Sequence, residues 1–342
     1  MKKRVVALLL AGCMMLGLAA CGDSSAQKDN NPSNTQGTTQ NQPQNEKKEI
    51  EHPDSIVICS STSGNIWYSC AVKISELLMR EFPDMSVIVI EGGGDANIDV
   101  VNLGKDAQLG FTSSTSLVPA FAGTNANVKD ASNVKALMSV QMSYAQTAVP
   151  ADSDIKTFAD LAGKRVAAGT YGQVAMYTMN ALLEGHGMSE KDLAGGAYQV
   201  VSPSEYPDQF ADGHLDACHI NGNLPLATLV QIDSTDPIRL LQPSDEAIDY
   251  IIGKYPSFYT VDVPANQYKG QTEPMELLAY DGMLMANGDL PEEFLARVVE
   301  LIVESGDPMF TRGSWEQCGT FITADNTVPA VYNLLKEKGA VD

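Results

Sequence analysis

Basic residues are scarce in this chain: 22 Lys and Arg stand against 43 Asp and Glu, a formal charge of −21. A protein that neutralises phosphates needs the opposite balance, so nucleic acid is excluded as a partner, as is basic adhesion to an anionic membrane surface. Histidine is also scarce, with four residues, and tryptophan has two. No GxGxxG, P-loop, GxSxG, HExxH or EF-hand pattern occurs, so the common nucleotide, acyl-transfer and metal-hydrolase signatures are missing. The six cysteines show no CxxC or zinc spacing, and no metal or other cofactor is expected. Beyond residue 18 no apolar run reaches the roughly 20 residues that a spanning helix needs. What is present is 342 residues at 44% hydrophobic content, enough for one large or two medium domains with a sizeable core.

The N-terminus reads as an address. Lys2, Lys3 and Arg4 precede an apolar stretch, Val5 to Leu18, of signal-peptide length. It ends in Leu18-Ala19-Ala20-Cys21-Gly22, which resembles the bacterial lipoprotein lipobox. Residues 1–20 are therefore expected to be removed and Cys21 lipidated, anchoring the chain outside the cytoplasm by its lipid in the bilayer. Cleavage removes three basic residues and no acid, which takes the charge to −24. Residues 21–53 are rich in Asn, Gln, Ser, Thr and Pro and read as a disordered tether with a reach of about 30 Å. Cys59, Cys70, Cys218 and Cys318 sit in apolar runs and are expected to be small buried hydrophobes.

The body alternates strand and helix patterns. Ser55–Cys59 and Ser86–Ile90 are short buried-strand runs on either side of a helix that carries Val72, Ile74, Leu77 and Leu78. A helix near Ala96–Leu103 and a strand at Gln108–Phe111 follow. A second series has a strand ending at Gly169, a helix over Val174–Glu184, a strand at Tyr198–Val201 and a helix over 203–212 capped by Ser202. After these come a strand at Leu215–Ile220, a helix over 223–232, an extended run at Glu276–Ala286, and helices at Pro291–Ser305 and 328–338. The fold class is α/β, as two lobes of mostly parallel sheet, which bind ligands at the carboxyl ends of strands.

Four strand-to-helix junctions carry small polar or glycine residues. They are Ser60–Asn65 (with Thr62, Ser63, Gly64 and Asn65), Gly92–Asn97 (with Gly93, Gly94 and Asn97), Thr112-Ser113-Ser114-Thr115, and Gly169–Gln173 (with Thr170, Tyr171, Gly172 and Gln173). Backbone N–H groups at a helix start, beside hydroxyls and amides, suit a small polar or anionic solute. Trp67 and Tyr68 are placed to wall that solute. His52 lies in the tether, and His186 and His214 stand beside glycines as helix-end caps. His219, next to Asn221 after a strand, is expected to line the cleft. With no nucleophile and base in register, catalytic residues are not expected.

These residues resemble those of TAXI-type solute-binding proteins of TRAP transporters. Thr62–Tyr68 is similar to the family's Thr-Gly-Gly-Thr-Tyr-Tyr region, with Asn65 in place of the second Gly. Gly92–Ile98 resembles its Gly-Gly-Ser-x-x-Asn turn, with Gly94 for Ser, and Gly104–Phe111 its Gly-x-x-Asp strand, after which Thr112-Ser113-Ser114 replaces Gln-Ser-Asp. Residues 158–169, Asp245–Pro256, Pro264–Gly270 and Val328–Gly339 also match, while Gly172–Ala175 replaces Gly-Ser-Gly-Thr. The resemblance covers about residues 55–340. It implies a two-lobed, type II-like periplasmic-binding-protein fold with the ligand cleft between the lobes. Lobe one is expected at about 54–147 and 260–342, and lobe two at 148–259.

It further implies a receptor that delivers a small carboxylate, such as glutamate or a related acid, to TRAP membrane subunits. No Arg falls in the four loops, so a carboxylate would rest on helix N-termini and neutral donors. Two other readings compete with the TRAP receptor: a binding protein for an ABC importer or a sensor, and an exported enzyme on the same fold.

Overall fold

Two long strands organise the structure, a computed structural model that describes residues 50–171 and 173–342. The signal segment 1–20, the lipidation site Cys21, the tether up to residue 49, and Gly172 lie outside the described residues. Ile50 and His52, read from sequence as the tether's end, are already folded. Ile50 packs on the first core, and His52 lies 4.5 Å from the Phe82 ring.

In chain order the elements begin with β1 (Ser55–Cys59), α1 (Ile66–Glu81), β2 (Ser86–Ile90), α2 (Gly94–Leu103), β3 (Leu109–Ser113), α3 (Ser114–Phe121) and β4 (Val134–Pro150). They continue with β5 (Val166–Ala167), α4 (Val174–Gly185), α5 (Tyr206–Ala211), β6 (Ala217–Gly222), α6 (Ala227–Thr235) and β7 (Ile238–Leu240). The last are α7 (Asp245–Lys254), β8 (Tyr259–Val263), β9 (Met275–Asn287), α8 (Glu292–Ser305) and α9 (Pro329–Glu337).

Local chemistry sets these bounds. The Asn65 side chain accepts from Trp67 N at 2.9 Å and starts α1, and Gly104 (φ 64°) ends α2 in the left-handed conformation that glycine tolerates. Glu292 and Glu293 sit in the first turn of α8, where the helix dipole favours them. Sequence reading placed a strand at Tyr198–Val201. The structure makes only an isolated bridge there, Ala167 to Gln199, because β5 is two residues long and offers little edge to pair with.

The strands form one sheet in the order β2-β1-β3-β9-β4-β6-β5, with β7 on β4 and β8 on β9. The β1–β2, β1–β3 and β5–β6 pairs are parallel, while β3–β9, β4–β6, β4–β7, β4–β9 and β8–β9 are antiparallel. The expected mostly parallel sheet is thus mixed, since β4 and β9 run antiparallel through its middle. The expected extended run at Glu276–Ala286 is β9 to within one residue at each end, whereas β4 has no counterpart among the expected elements.

Among the described residues, three apolar cores flank the sheet. The first draws on β1–β3, α1, the start of β4, the end of β9, α8 and α9. The second and third draw on the remainder of β4 and β9 and on elements between them. Each buried Leu, Ile or Phe in these cores contributes roughly 1.5–3 kcal/mol. Where β4 and β9 pass from the first core to the others, the buried side chains turn polar: Ser139, Gln141, Ser143 and Asp281. The β4–β9 register shifts at the same place, between Ser139 and Gln141. Cys59, Cys70, Cys218 and Cys318 are buried free thiols, and burial pushes Cys59, Cys70 and Cys318 up to about 12.

Candidate functional site

One face of β4, β6 and β9 forms a polar floor. Gln141 pairs with Gly282, Ser143 with Tyr280, Ala145 with Asn221 and Thr147 with His219. Directly opposed residues share a face, so these side chains stand in one row. Helix α4 covers one end of the row, where Thr178 Oγ1 lies 3.1 Å from Asn221 Oδ1 and 2.7 Å from His219 Nε2. Trp67, at the start of α1, covers the other end. A Cβ at Gly282 would lie only 2.6 Å from Trp67 Nε1, so the glycine makes room for the indole.

A cavity of about 260 Å³ is walled by both halves of the chain, and none of these floor residues is among those that line it. Asp95 on α2, Thr115 and Ser116 on α3, and Asn125 and Asn127 face Gln173, Met176, Tyr177 and Asn180. The lining is mixed, with amides and hydroxyls beside the apolar Val174 and Met176, and Asp95 carries its only charge. Asp95 accepts from Asn125 Nδ2 and Asn127 Nδ2, each at 3.0 Å. The Tyr177 hydroxyl is pushed up to about 12, chiefly by burial, with the negative charges of neighbouring groups, Asp95 among them, adding to the rise. A larger cavity, about 700 Å³, lies between the end of α3, residues 128–135 and residues 323–326, away from this floor.

The loop residues singled out from sequence fall into two groups. Thr62, Ser63, Gly64 and Asn65 are exposed at the start of α1, with Trp67 and Tyr68 half-buried behind them. Gly93 is open, and Gly94 lies beside Ser116. Thr170 is half-buried, Tyr171 and Gln173 are exposed, and Asn221 is half-buried at the floor.

The second group departs from expectation because its polar groups are spent inside the protein. Asn97 is 2% exposed; its Nδ2 donates to Ser60 O and Phe111 O, both at 2.7 Å, and its Oδ1 accepts from Gly93 N at 3.0 Å. Thr112 Oγ1 donates to Gly94 O at 3.1 Å. Buried Ser113 bonds Thr115 and Ser116, and buried Ser114 donates to Ser257 O and accepts from Asp281 N. His219, expected to line the cleft, is fully buried beneath α4 between Thr147 (2.8 Å to Nδ1) and Thr178. Desolvation lowers its pKa to about 3, so the ring is neutral.

Some of the loops' backbone donors are also occupied. Ser63 N donates to Glu91 Oε1 at 2.8 Å, Thr170 N to Gln173 Oε1 at 3.1 Å, and Gly169 N to Tyr206 Oη at 2.6 Å. The bond from Ser63 holds the exposed Glu91 carboxyl below its ordinary range. With Gly93 N, which donates to Asn97 Oδ1, these donors are already taken by side chains.

Sequence reading missed Asp95, Ser116, Asn125, Asn127, Met176, Tyr177 and Asn180. Helical spacing carried a signal for part of this set: Gln173, Met176, Tyr177 and Asn180 lie three, four and seven residues apart, on one face of α4. Gln141 and Ser143 carried none, since β4 was not recognised; Tyr280 lay in the expected extended run of Glu276–Ala286 but nothing marked it as facing a site. Among the described residues, no group of three His, Cys, Asp or Glu could hold a metal ion.

The sequence matches the model of the NMT1-like family over residues 58–315. Among solved structures, PhnD1 from Prochlorococcus marinus in complex with methylphosphonate is similar at a TM-score of 0.52 and 14% identity, with 84% of this chain and 99% of that chain covered. The periplasmic aliphatic sulphonate binding protein SsuA from Escherichia coli is similar at a TM-score of 0.49 and 17% identity, covering 85% of this chain and 76% of that chain. The likeness to PhnD1 shows the fold: α/β, two-lobed, of the periplasmic-binding-protein kind.

Proposed function

The chain belongs to the NMT1-like family, and from that premise we propose that it is an extracytoplasmic receptor that closes over a small polar solute and passes it to a membrane transporter. One observation carries this reading: a cavity of about 260 Å³, lined by amides and hydroxyls together with Val174 and Met176, is walled jointly by α2–α3 and by α4. Such a site is completed or opened by a hinge between two bodies. PhnD1, on the same fold, is in complex with a small solute.

We place the hinge where β4 and β9 change cores, at residues 141–144 and 280–282, a few residues before the first lobe limit expected from sequence and about twenty after the second. Cys21 is the proposed lipid anchor, and Cys21→Ser should release the chain from the membrane fraction. The motifs shared with TAXI receptors favour TRAP membrane subunits as the partner. Uptake in membrane vesicles should then follow an ion gradient, whereas uptake that requires ATP would assign an ABC importer.

The binding reading is tested by unfolding and refolding the protein to strip any resident solute. Amino acids, their amides, dicarboxylates, 2-oxo acids, sugars and oxyanions are then screened by thermal shift. A solute at 100 times its Kd adds about 2.7 kcal/mol. One-to-one binding without turnover is expected; turnover of a bound compound would make the protein an enzyme.

A further inference from the structure

The cavity between α2–α3 and α4 holds one negative charge and no positive charge to answer it. Half-buried Asp95 lines it, and among the described residues no Lys, Arg or His does. The Asp95 oxygens accept from Asn125 Nδ2 and Asn127 Nδ2, each at 3.0 Å. A carboxylate has about four acceptor positions, so these two amides leave part of its capacity unused. On the α4 wall stands Tyr177, 38% exposed, its ring stacked on Phe258 at a centroid distance of 6.0 Å. Asp95 is near enough that its charge adds to the rise that burial imposes on the Tyr177 hydroxyl. Lys254, the cation that acts on the same hydroxyl, is already bonded to Glu184.

Resting on the receptor reading, we infer that the solute is a small organic cation, its positive charge paired with Asp95 and laid against the Tyr177 ring. Closing the two walls over a solute takes Asp95 out of water, and a carboxylate so enclosed needs an opposite charge. An uncharged solute supplies none, and an anion adds repulsion. The Asn125 and Asn127 amide groups on that wall are also turned to Asp95, and Asn125 Nδ2 donates to Ser116 O at 3.1 Å as well. An aromatic face attracts the same cation that the carboxylate pairs with. Val174 and Met176, beside Tyr177, suit the hydrocarbon part of such a solute. A metal ion is a poorer occupant, since no three His, Cys, Asp or Glu gather to ligate one among the described residues.

The test uses matched pairs on the stripped protein: choline and its uncharged carbon isostere, putrescine and butanediol, arginine and citrulline. At least one cation is expected to bind about tenfold or more tightly than its neutral partner, and Asp95→Asn should cut that cation's affinity by at least about tenfold. Tyr177→Phe keeps the ring and should bind the cation within about twofold of the parent protein, whereas Tyr177→Leu should lose about fivefold. The two Tyr177 variants decide the matter if Asp95→Asn fails to fold, since Asp95 also ties residues 125 and 127 to α2. A neutral partner that binds as well as its cation overturns the inference. So does an unchanged cation affinity in folded Asp95→Asn, or equal affinities in Tyr177→Phe and Tyr177→Leu. If no cation binds but an acid, sugar or oxyanion does, the inference fails and the receptor stands. If nothing in either panel binds and mass spectrometry of the native protein finds no resident solute, the receptor reading itself fails.

Discussion

Arg312 Nε lies 3.1 Å from Asp281 Oδ1, with the Asp281 side chain wholly buried and that of Arg312 nearly so. The pair sits where β9 crosses between cores, on the face opposite Gly282 and Trp67. It ties the C-terminal segment to the proposed hinge. The Tyr259 hydroxyl also bonds Asp281, and the guanidinium lies 4.9 Å from the Tyr259 ring centroid. Burial raises the Asp281 carboxyl, and Arg312 opposes that rise. Removing one partner leaves the other buried and uncompensated, so Arg312→Met should cost about 3–5 kcal/mol. The double variant Arg312→Met/Asp281→Asn should recover at least half of that loss. Urea midpoints of the three proteins measure both; a double variant as unstable as the single one would mean that the pair acts through packing alone.

His219 predicts a pH dependence. Its pKa falls from the ordinary 6.5 to about 3 through burial. Between those values the unfolded chain binds a proton that the folded chain refuses, so stability rises with pH across this window. The contribution is fully present above about pH 6.5 and is lost as pH falls towards 3, at up to about 1.4 kcal/mol per pH unit. His219→Gln should flatten the fall by about one proton's worth, whatever it costs at neutral pH. Urea midpoints of both proteins from pH 4 to 7 read the difference; parallel curves would show that the ring titrates as it does in water.

Much of the periphery was legible in the sequence because it rests on local signals. Ser55–Cys59 and Ser86–Ile90 are compact apolar runs, and Pro291 and Gly306 punctuate α8. At the centre β9 was legible as an extended run, and β4 was not. β4 mixes Ser139, Gln141, Ser143, Gln146 and Thr147 with apolar residues, because part of its length lies between cores and not inside one. A strand of that composition has neither a continuous apolar run nor a clean alternation. The loops were found by their chemistry, but composition does not say whether a polar group is free or already bonded. Asn97 and His219 read as ligands and are internal ties; Gln141 gave no signal and holds a free buried acceptor.

Asn97 shows how such a tie can be tested. Its amide links the ends of β1 and β3 to the turn before α2, and a Cβ at Gly92 would lie 2.1 Å from its Oδ1. Asn97→Ala leaves two carbonyls and one N–H without partners, a loss of about 2–4 kcal/mol at roughly 1–3 per buried group, water offsetting part. Asn97→Asp should be worse still at neutral pH, since it sets a carboxylate against two carbonyl oxygens. Thermal melts at pH 7 rank the three proteins. An aspartate variant more stable than the alanine variant would contradict the donor assignment.

Gly282 is the point where the floor and Trp67 meet. A methyl group there would lie 2.6 Å from Trp67 Nε1 and 3.0 Å from Cε2, so Gly282→Ala must move the indole or the strand. The indole is held from behind by Phe111, whose ring lies 6.4 Å away in a near-parallel stack, so it has little room to retreat. Overpacking of this kind costs about 1–3 kcal/mol. Gly282→Ala should lower the melting temperature and alter tryptophan fluorescence, while Gly282→Ala/Trp67→Ala should show almost no further loss beyond Trp67→Ala alone. That non-additivity is the decisive readout. Two losses that simply add would place the cost of the methyl group elsewhere, in the strand pairing of Gly282 with Ser113 and Gln141.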